Sequence, residues 1–413
     1  MTLVVVLEHR FDRTPDGAIW TQTTFPYAFW ELHLEVFDRV RIVARARDVE
    51  SPPPGGRRVE GTGVEFAGLP DYVGPSQYLT KARAVARAVR AAVGPDDALL
   101  LRVCSPLSGH LDTMLRRNGR PFGVVVVADP HDVFAPGSVK HVLRPFFQWW
   151  FPRRLRDQCV RAGAVSYVTR DALQGRYPPS IGAFSTHFSD VDLPDDAFVA
   201  APRPVRPRPR SLTLITVGTL AQLYKAPDVL IDAVASCVRG GLDARLVLIG
   251  DGKHRSELEA RGAGLGLGDR VRFLGQLPAG SEVVAQLDRA DVFVLPSYQE
   301  GLPRAMIEAM ARGLPCIGST VGGIPELLAA EDLVPPGHVG ALARKIREVV
   351  DDPERLAAMS ARNLDRAGEY RAELLHQRRV EFLRRLRELT AEWSSGKGRA
   401  GSSRTRLQQP VTS

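Results

Sequence analysis

Short apolar runs alternate with helical stretches along this chain, and that alternation limits the fold more than any other feature. In the first half the runs fall at 3–7, 40–44, 98–103, 123–128 and 164–168, with amphipathic stretches at 19–36, 77–93 and 139–161 between them. Strands apolar on both faces must be covered on both, which in such an alternation means a parallel sheet with helices on each side. Pro202, Pro204, Pro207 and Pro209 then interrupt the pattern. Each fixes φ and removes an N–H, so 194–210 reads as a semi-rigid linker. Beyond it the alternation restarts, with strands expected at 212–217, 244–249, 271–274 and 292–295 and helices at 226–239, 253–262 and 282–289. A chain of 413 residues exceeds the size at which one core stops growing. The expectation is α/β, with two doubly wound, Rossmann-like domains, 1–193 and 211–369, facing each other across a cleft. A charged amphipathic helix is expected over 370–393. The remaining 394–413 lacks apolar anchors and reads as a disordered tail.

Composition excludes several classes. The net charge of +8 is carried by arginine, with six lysines among 55 basic residues. No nucleic-acid module accompanies it, so no nucleic-acid partner is expected. A phosphate-bearing substrate or an anionic membrane face would suit the charge better. Cys104, Cys159, Cys237 and Cys316 lie far apart without C-x-x-C spacing, as in reduced core thiols of a cytoplasmic protein. The apolar run at the N-terminus is too short for a signal peptide or a membrane span and reads as a first strand.

In open α/β sheets ligands sit beyond the carboxyl ends of the strands. In the second half those turns carry Gly218-Thr219 with Lys225 nearby, Gly250-Asp-Gly252, Phe273-Leu-Gly275, and Glu300-Gly-Leu-Pro-Arg-Ala-Met-Ile-Glu308. Small residues at 218 and 219 admit a ligand to the backbone, and Lys225 offers a point charge to phosphate. Pro303 suits the first position of a helix 304–312 ended by Gly313, whose free amides would favour a phosphate. Eight residues of helix separate side chains by ~12 Å of rise. That exceeds the ~5–9.5 Å between a glycosidase's two carboxyls, so Glu300 and Glu308 read as separate acceptors for hydroxyls of one extended ligand.

These motifs, with Leu248-Ile-Gly-Asp-Gly252 and Gly322-Gly-Ile-Pro-Glu326, occur in an order that resembles glycosyltransferase family 4, retaining enzymes of the two-domain GT-B fold. The resemblance implies that Glu300 contacts hydroxyls of the transferred sugar and Glu308 the ribose. It implies that Gly301, Leu302 and Pro303 hold the diphosphate or sugar with Lys225 neutralising it, and that Gly250, Gly252 and Phe273 border the nucleotide. Many relatives carry arginine where this chain has Thr219, and Arg304 is the candidate to replace that cation. In the first half, residues 8–17 occupy the place of the family's glycine-rich loop, so Asp16, Gly17 and Trp20 are expected on the acceptor side. His131 matches the family's cleft histidine and would touch the donor sugar.

The implied reaction moves a hexosyl unit from a nucleotide diphosphate sugar, a co-substrate rather than a cofactor, to an acceptor hydroxyl with retention. Polysaccharide, glycolipid and secondary-metabolite acceptors all fit. A sugar-nucleotide epimerase and a non-catalytic sugar-nucleotide-binding partner are the alternatives. Asp190-Val-Asp192 resembles a D-x-D metal motif but leads into the linker, so no metal is expected. Gly250-Asp-Gly252 lacks the third glycine of a dinucleotide fingerprint, since Arg255 stands there. Aromatics and cations mingle over 140–157. The preferred reading is a helix packed into the first domain with its arginines in solvent, and peripheral contact with the inner face of a membrane is the alternative.

Overall fold

A computed structural model of the chain describes residues 1–405 other than 23, 104, 135–141, 192, 206–210 and 279, with the backbone alone over 397–405. Two sheets organise it. The first contains β1 (Thr2–Arg13), β2 (Ile19–Thr21), β3 (Arg39–Asp48), β4 (Arg57–Arg58), β5 (Val64–Leu69), β6 (Ala98–Val103), β7 (Gly123–Val126), β8 (Ala164–Tyr167) and β9 (Phe184–His187). Seven of these run parallel in the order β5-β3-β1-β6-β7-β8-β9. The second sheet, β10 (Leu212–Val217), β11 (Ala244–Ile249), β12 (Val271–Phe273), β13 (Val292–Leu295), β14 (Cys316–Ser319) and β15 (Leu333–Val334), is wholly parallel in the order β12-β11-β10-β13-β14-β15. In each the order reverses at the first strand, as in a doubly wound fold.

The elements follow from local sequence. β10, β11 and β13 are mostly apolar, and the inner residues Leu214, Ile215, Leu246, Val292, Phe293 and Val294 are fully buried. Helix Pro227–Arg239 covers one face with Leu230, Ile231, Val234 and Cys237, while Met306, Ile307 and Met310 of helix Arg304–Ala311 cover the other. Cys159, Cys237 and Cys316 are buried free thiols, and Cys104 lies outside the described residues.

Four expectations need correction. The stretch 19–36 is not one helix: Ile19–Thr21 pairs with β1 as β2, and the helix runs only Tyr27–Leu34. Pro26, which cannot continue a helical ladder, stands at its start. β1 does not end at Leu7 but carries on to Arg13 past an irregularity between Val6 and Arg10, then folds back on β2. Pro303 is the residue before helix Arg304–Ala311 rather than its first, with ψ 104°. The last helix does not stop at 393 but spans Ala372–Thr405, where the Ser395 hydroxyl donates to the Ala391 carbonyl at 2.9 Å, and residues 406–413 of the expected tail lie outside the described residues. Leu375, Phe382, Leu383 and Leu386 of that helix are buried, and Phe382 packs edge-on to Phe188, so it returns to the first sheet. No described helix is long and apolar enough to cross a membrane.

Candidate active site

β10 and β13 are neighbours, so the turns that follow them meet although Lys225 and Glu300 are 75 residues apart. After β10 the chain makes a short turn Leu223–Lys225, then enters helix Pro227–Arg239 through Ala226 in a left-handed conformation, φ 52°. The Lys225 stem crosses directly over Gly218, where a Cβ would lie 2.2 Å from Lys225 Cδ. A side chain at 218 would displace the lysine stem from this path, and its Nζ donates to Glu300 Oε1 at 2.8 Å. The Ser297 hydroxyl donates to the same oxygen at 2.8 Å. The Glu300 side chain is 7% exposed and that of Lys225 18%, so this ion pair is largely removed from water.

Glu308 lies one turn along helix Arg304–Ala311 from Arg304, which donates through Nε to Glu308 Oε1 at 2.8 Å. The first-turn N–H groups of this helix have no side-chain cap. Gly218, Thr219, Lys225, Gly250, Glu300, Leu302, Pro303, Arg304 and Glu308 all line one cavity of about 800 Å³. Gly250 adopts φ 135° there, and a Cβ would fall 1.9 Å from the Gly218 carbonyl oxygen, so two backbones touch at the cavity floor. In the cavity Lys225 and Arg304 are each coupled to a glutamate at rest, and the start of helix Arg304–Ala311, which no side chain caps, forms part of its lining. A dianionic ligand could recruit both cations.

Other expected residues stand elsewhere. Gly252 packs on the backbone of Leu220 and Ala221, and Phe273 lines a separate depression of about 250 Å³ beside Glu259 and Gly268. The wall expected there comes instead from Gln276, Leu277, Val283 and Val284, with Asp196 and Ala197 closing it from the segment taken as linker. The helix period of Ser281–Arg289 carried a signal for the two valines, whereas nothing local marked Asp196.

In the first sheet, Asp16, Gly17 and Trp20 form the hairpin joining β1 to β2 and line none of these cavities, because β1 continues where a loop was expected. The Thr14 hydroxyl donates to Asp16 at 2.5 Å and holds its carboxyl below the usual range, while the Trp20 indole donates back to Thr14 at 3.1 Å. His131 sits in the turn Pro130–Val133 after β7 with its side chain 58% exposed, bonded to Asp132 at 3.3 Å, and lines neither of these cavities. Its neighbours line a third. Asp129, 3% exposed, accepts from the His131 N–H and the Tyr177 hydroxyl, and is ion-paired with Arg176. Asp129, Asp132 and Arg176 meet Glu300 and Gly301 in a pocket of about 130 Å³. Asp190 is ion-paired with Arg102 at 2.6 Å, and residue 192 lies outside the described residues. Among the described residues no three His, Cys, Asp or Glu side chains are grouped to hold a metal ion.

Residues 202–366, which supply every second-sheet group of this cavity, match the family model described as glycosyl transferases group 1. Over those residues the chain carries a group 1 glycosyl transferase region. The chain is 22% identical to protein CapJ of Staphylococcus aureus over 91% of this chain and 93% of that one. It is 30% identical to a GDP-mannose-dependent monoacylated alpha-(1-6)-phosphatidylinositol monomannoside mannosyltransferase of Corynebacterium glutamicum, over 50% of this chain and 58% of that enzyme's length. Sucrose-phosphate synthase of Thermosynechococcus elongatus shares the fold with a TM-score of 0.67 at 19% identity, covering 93% of this chain and 98% of that one. The chain thus has the GT-B architecture, and the turns after β7 and β8 in its first sheet meet those after β13 and β14 in its second.

Proposed function

We propose that the protein transfers a hexosyl unit from a nucleotide diphosphate sugar to an acceptor hydroxyl with retention at the anomeric carbon. The observation that carries this reading is the Lys225–Glu300–Ser297 cluster beside the Arg304–Glu308 pair in one cavity. Lys225, Arg304 and the helix amides suit the diphosphate, Glu300 the sugar hydroxyls and Glu308 the ribose. Arg304 takes the part of the cation that Thr219 cannot supply.

The carboxylates at the junction of the halves are already engaged. Glu300 is held by Lys225 and Ser297, Asp129 by Tyr177 and Arg176, and Asp132 by Arg176. None is disposed as a free nucleophile. The acceptor oxygen therefore attacks the anomeric carbon as the bond to the diphosphate breaks, and the acceptor proton passes to a departing phosphate oxygen on the same face. Release of nucleoside diphosphate that depends on an added acceptor, with the α-linked product from an α-linked donor by proton NMR, is the test. Acceptor-independent interconversion of the donor sugar would mean epimerisation instead.

A membrane-linked acceptor has support of its own. On helix Arg144–Arg161, Phe146 and Trp149 are 51% and 52% exposed, and Arg153 stacks on Trp149 at 4.5 Å. Phe147, Trp150 and Phe151 are half-buried, in contact with one another or with Phe134. Such an apolar and cationic face suits an interface with anionic lipid. Co-sedimentation with phosphatidylglycerol vesicles should fall in F146S/W149S, and equal sedimentation of both forms would remove this reading.

A further inference from the structure

Glu326 lies on the short helix Ile324–Leu327 after β14, yet its carboxylate serves the other half of the molecule. The Arg170 N–H donates to Oε2 at 2.6 Å, and the Asp171 N–H to Oε1 at 3.0 Å with the Ala172 N–H sharing that oxygen. These amides open helix Ala172–Arg176 beyond β8, where Asp171 makes no side-chain cap. Backbone donors at a helix start need partners, and here the partner arrives from a residue more than 150 positions away. The bond exists only while the two halves are together.

What that contact assembles is the pocket of about 130 Å³ beside Glu300. The Gly323 N–H donates to the Gly301 carbonyl at 2.7 Å, and a Cβ at 301 would stand 2.7 Å from the Val127 carbonyl oxygen, so the 300–301 turn abuts the first sheet. Arg176, at the far end of the helix that Glu326 caps, holds Asp129 and Asp132 over that turn. One wall of the pocket comes from each half.

We propose that Glu326 is a positioning residue for glycosyl transfer: its carboxylate docks the 169–176 segment onto the 300–301 turn and so builds the pocket in which Asp132 and Arg176 face Glu300. The proposal rests on the transfer reading above. A carboxylate and three amides all regain water when they part, so such a latch opens for substrate entry at small net cost and closes again. Separation of the halves would remove Asp132 and Arg176 from Glu300 but leave the nucleotide cavity, built almost wholly from the second half, in place.

The test uses the full chain with Glu326→Ala, Glu326→Gln and Glu326→Asp. Small-angle scattering without ligand and with saturating UDP or GDP should give a larger radius of gyration for E326A than for wild type. Nucleotide affinity by calorimetry should stay within about twofold while transfer kcat falls by about tenfold or more, with E326Q between, because it keeps one carbonyl acceptor. Unchanged scattering with unchanged kcat would overturn the proposal, as would nucleotide affinity falling in step with kcat. Circular dichroism identifies a variant that has failed to fold, and E326Q, which preserves shape, then decides. If wild type consumes no sugar nucleotide the transfer reading fails, whereas the scattering comparison still decides the latch.

Discussion

Replacing Lys225 by methionine separates two effects that its ion pair joins. At 2.8 Å the attraction between Lys225 and Glu300 is about 6 kcal/mol with an effective dielectric near 20, before desolvation takes part of it back. The pair is largely buried, so loss of one partner leaves a Glu300 charge compensated only by Ser297. Nucleoside diphosphate binding then suffers twice in K225M. A charge-assisted contact worth roughly 1.5–3 kcal/mol disappears, which is about 10- to 150-fold in Kd, and an unshielded carboxylate now repels the phosphates. In K225M/E300Q the repulsion is gone. Titration calorimetry with UDP and with GDP should therefore show the double variant binding more tightly than K225M, by about tenfold, though less tightly than wild type. If the double variant binds no better than K225M, or K225M binds like wild type, the pair does not face the diphosphate and the reasoning fails.

E300Q should lower turnover far more than it raises donor KM, whereas E308Q should raise donor KM by roughly tenfold with kcat nearly kept; the reverse pattern in steady-state kinetics would exchange their roles. G250A meets both a positive φ and the Gly218 carbonyl, so a loss of roughly 2–4 kcal/mol is expected in thermal or urea unfolding, and an unchanged melting temperature would contradict the close approach. His33 is buried and its pKa is lowered from 6.5 to about 4, first by burial and then by Arg102 and Arg379. The unfolded chain therefore binds the extra proton between those values. Its contribution is complete above pH 6.5 and is lost as pH falls toward 4, by up to about 3 kcal/mol. H33L should flatten the acid limb of a stability-against-pH curve, and superimposable limbs would exclude His33 as its source.

Much of the second half was legible from local order alone. β10, β11 and β13 begin and end where their apolar runs do, because strands covered on both faces read as nearly continuous apolar runs, broken here only by Thr213, Thr216 and Arg245. The first half was less legible for the same reason. β5 and β9 are half-exposed edge strands, and β2 and β4 are two or three residues long, so none carries a continuous apolar run. The outward turn of His131 was hidden too, since one residue along a single helical turn redirects a side chain by about 100°.

Local pattern was enough to mark the groups that could hold a diphosphate and a sugar: the glycines that open the turns after β10 and β11, a rare lysine, and Glu308 one helical turn from Arg304, a pair that i,i+4 spacing makes adjacent in any helix. Their partners came from packing. Lys225 reaches Glu300 because strand order sets β10 beside β13, and Glu326 reaches the amides of 170–172 because two sheets pack together. Such contacts join residues far apart in the chain, so no local pattern encodes them, and they form only once burial of both cores has offset the entropy of closing the loops between.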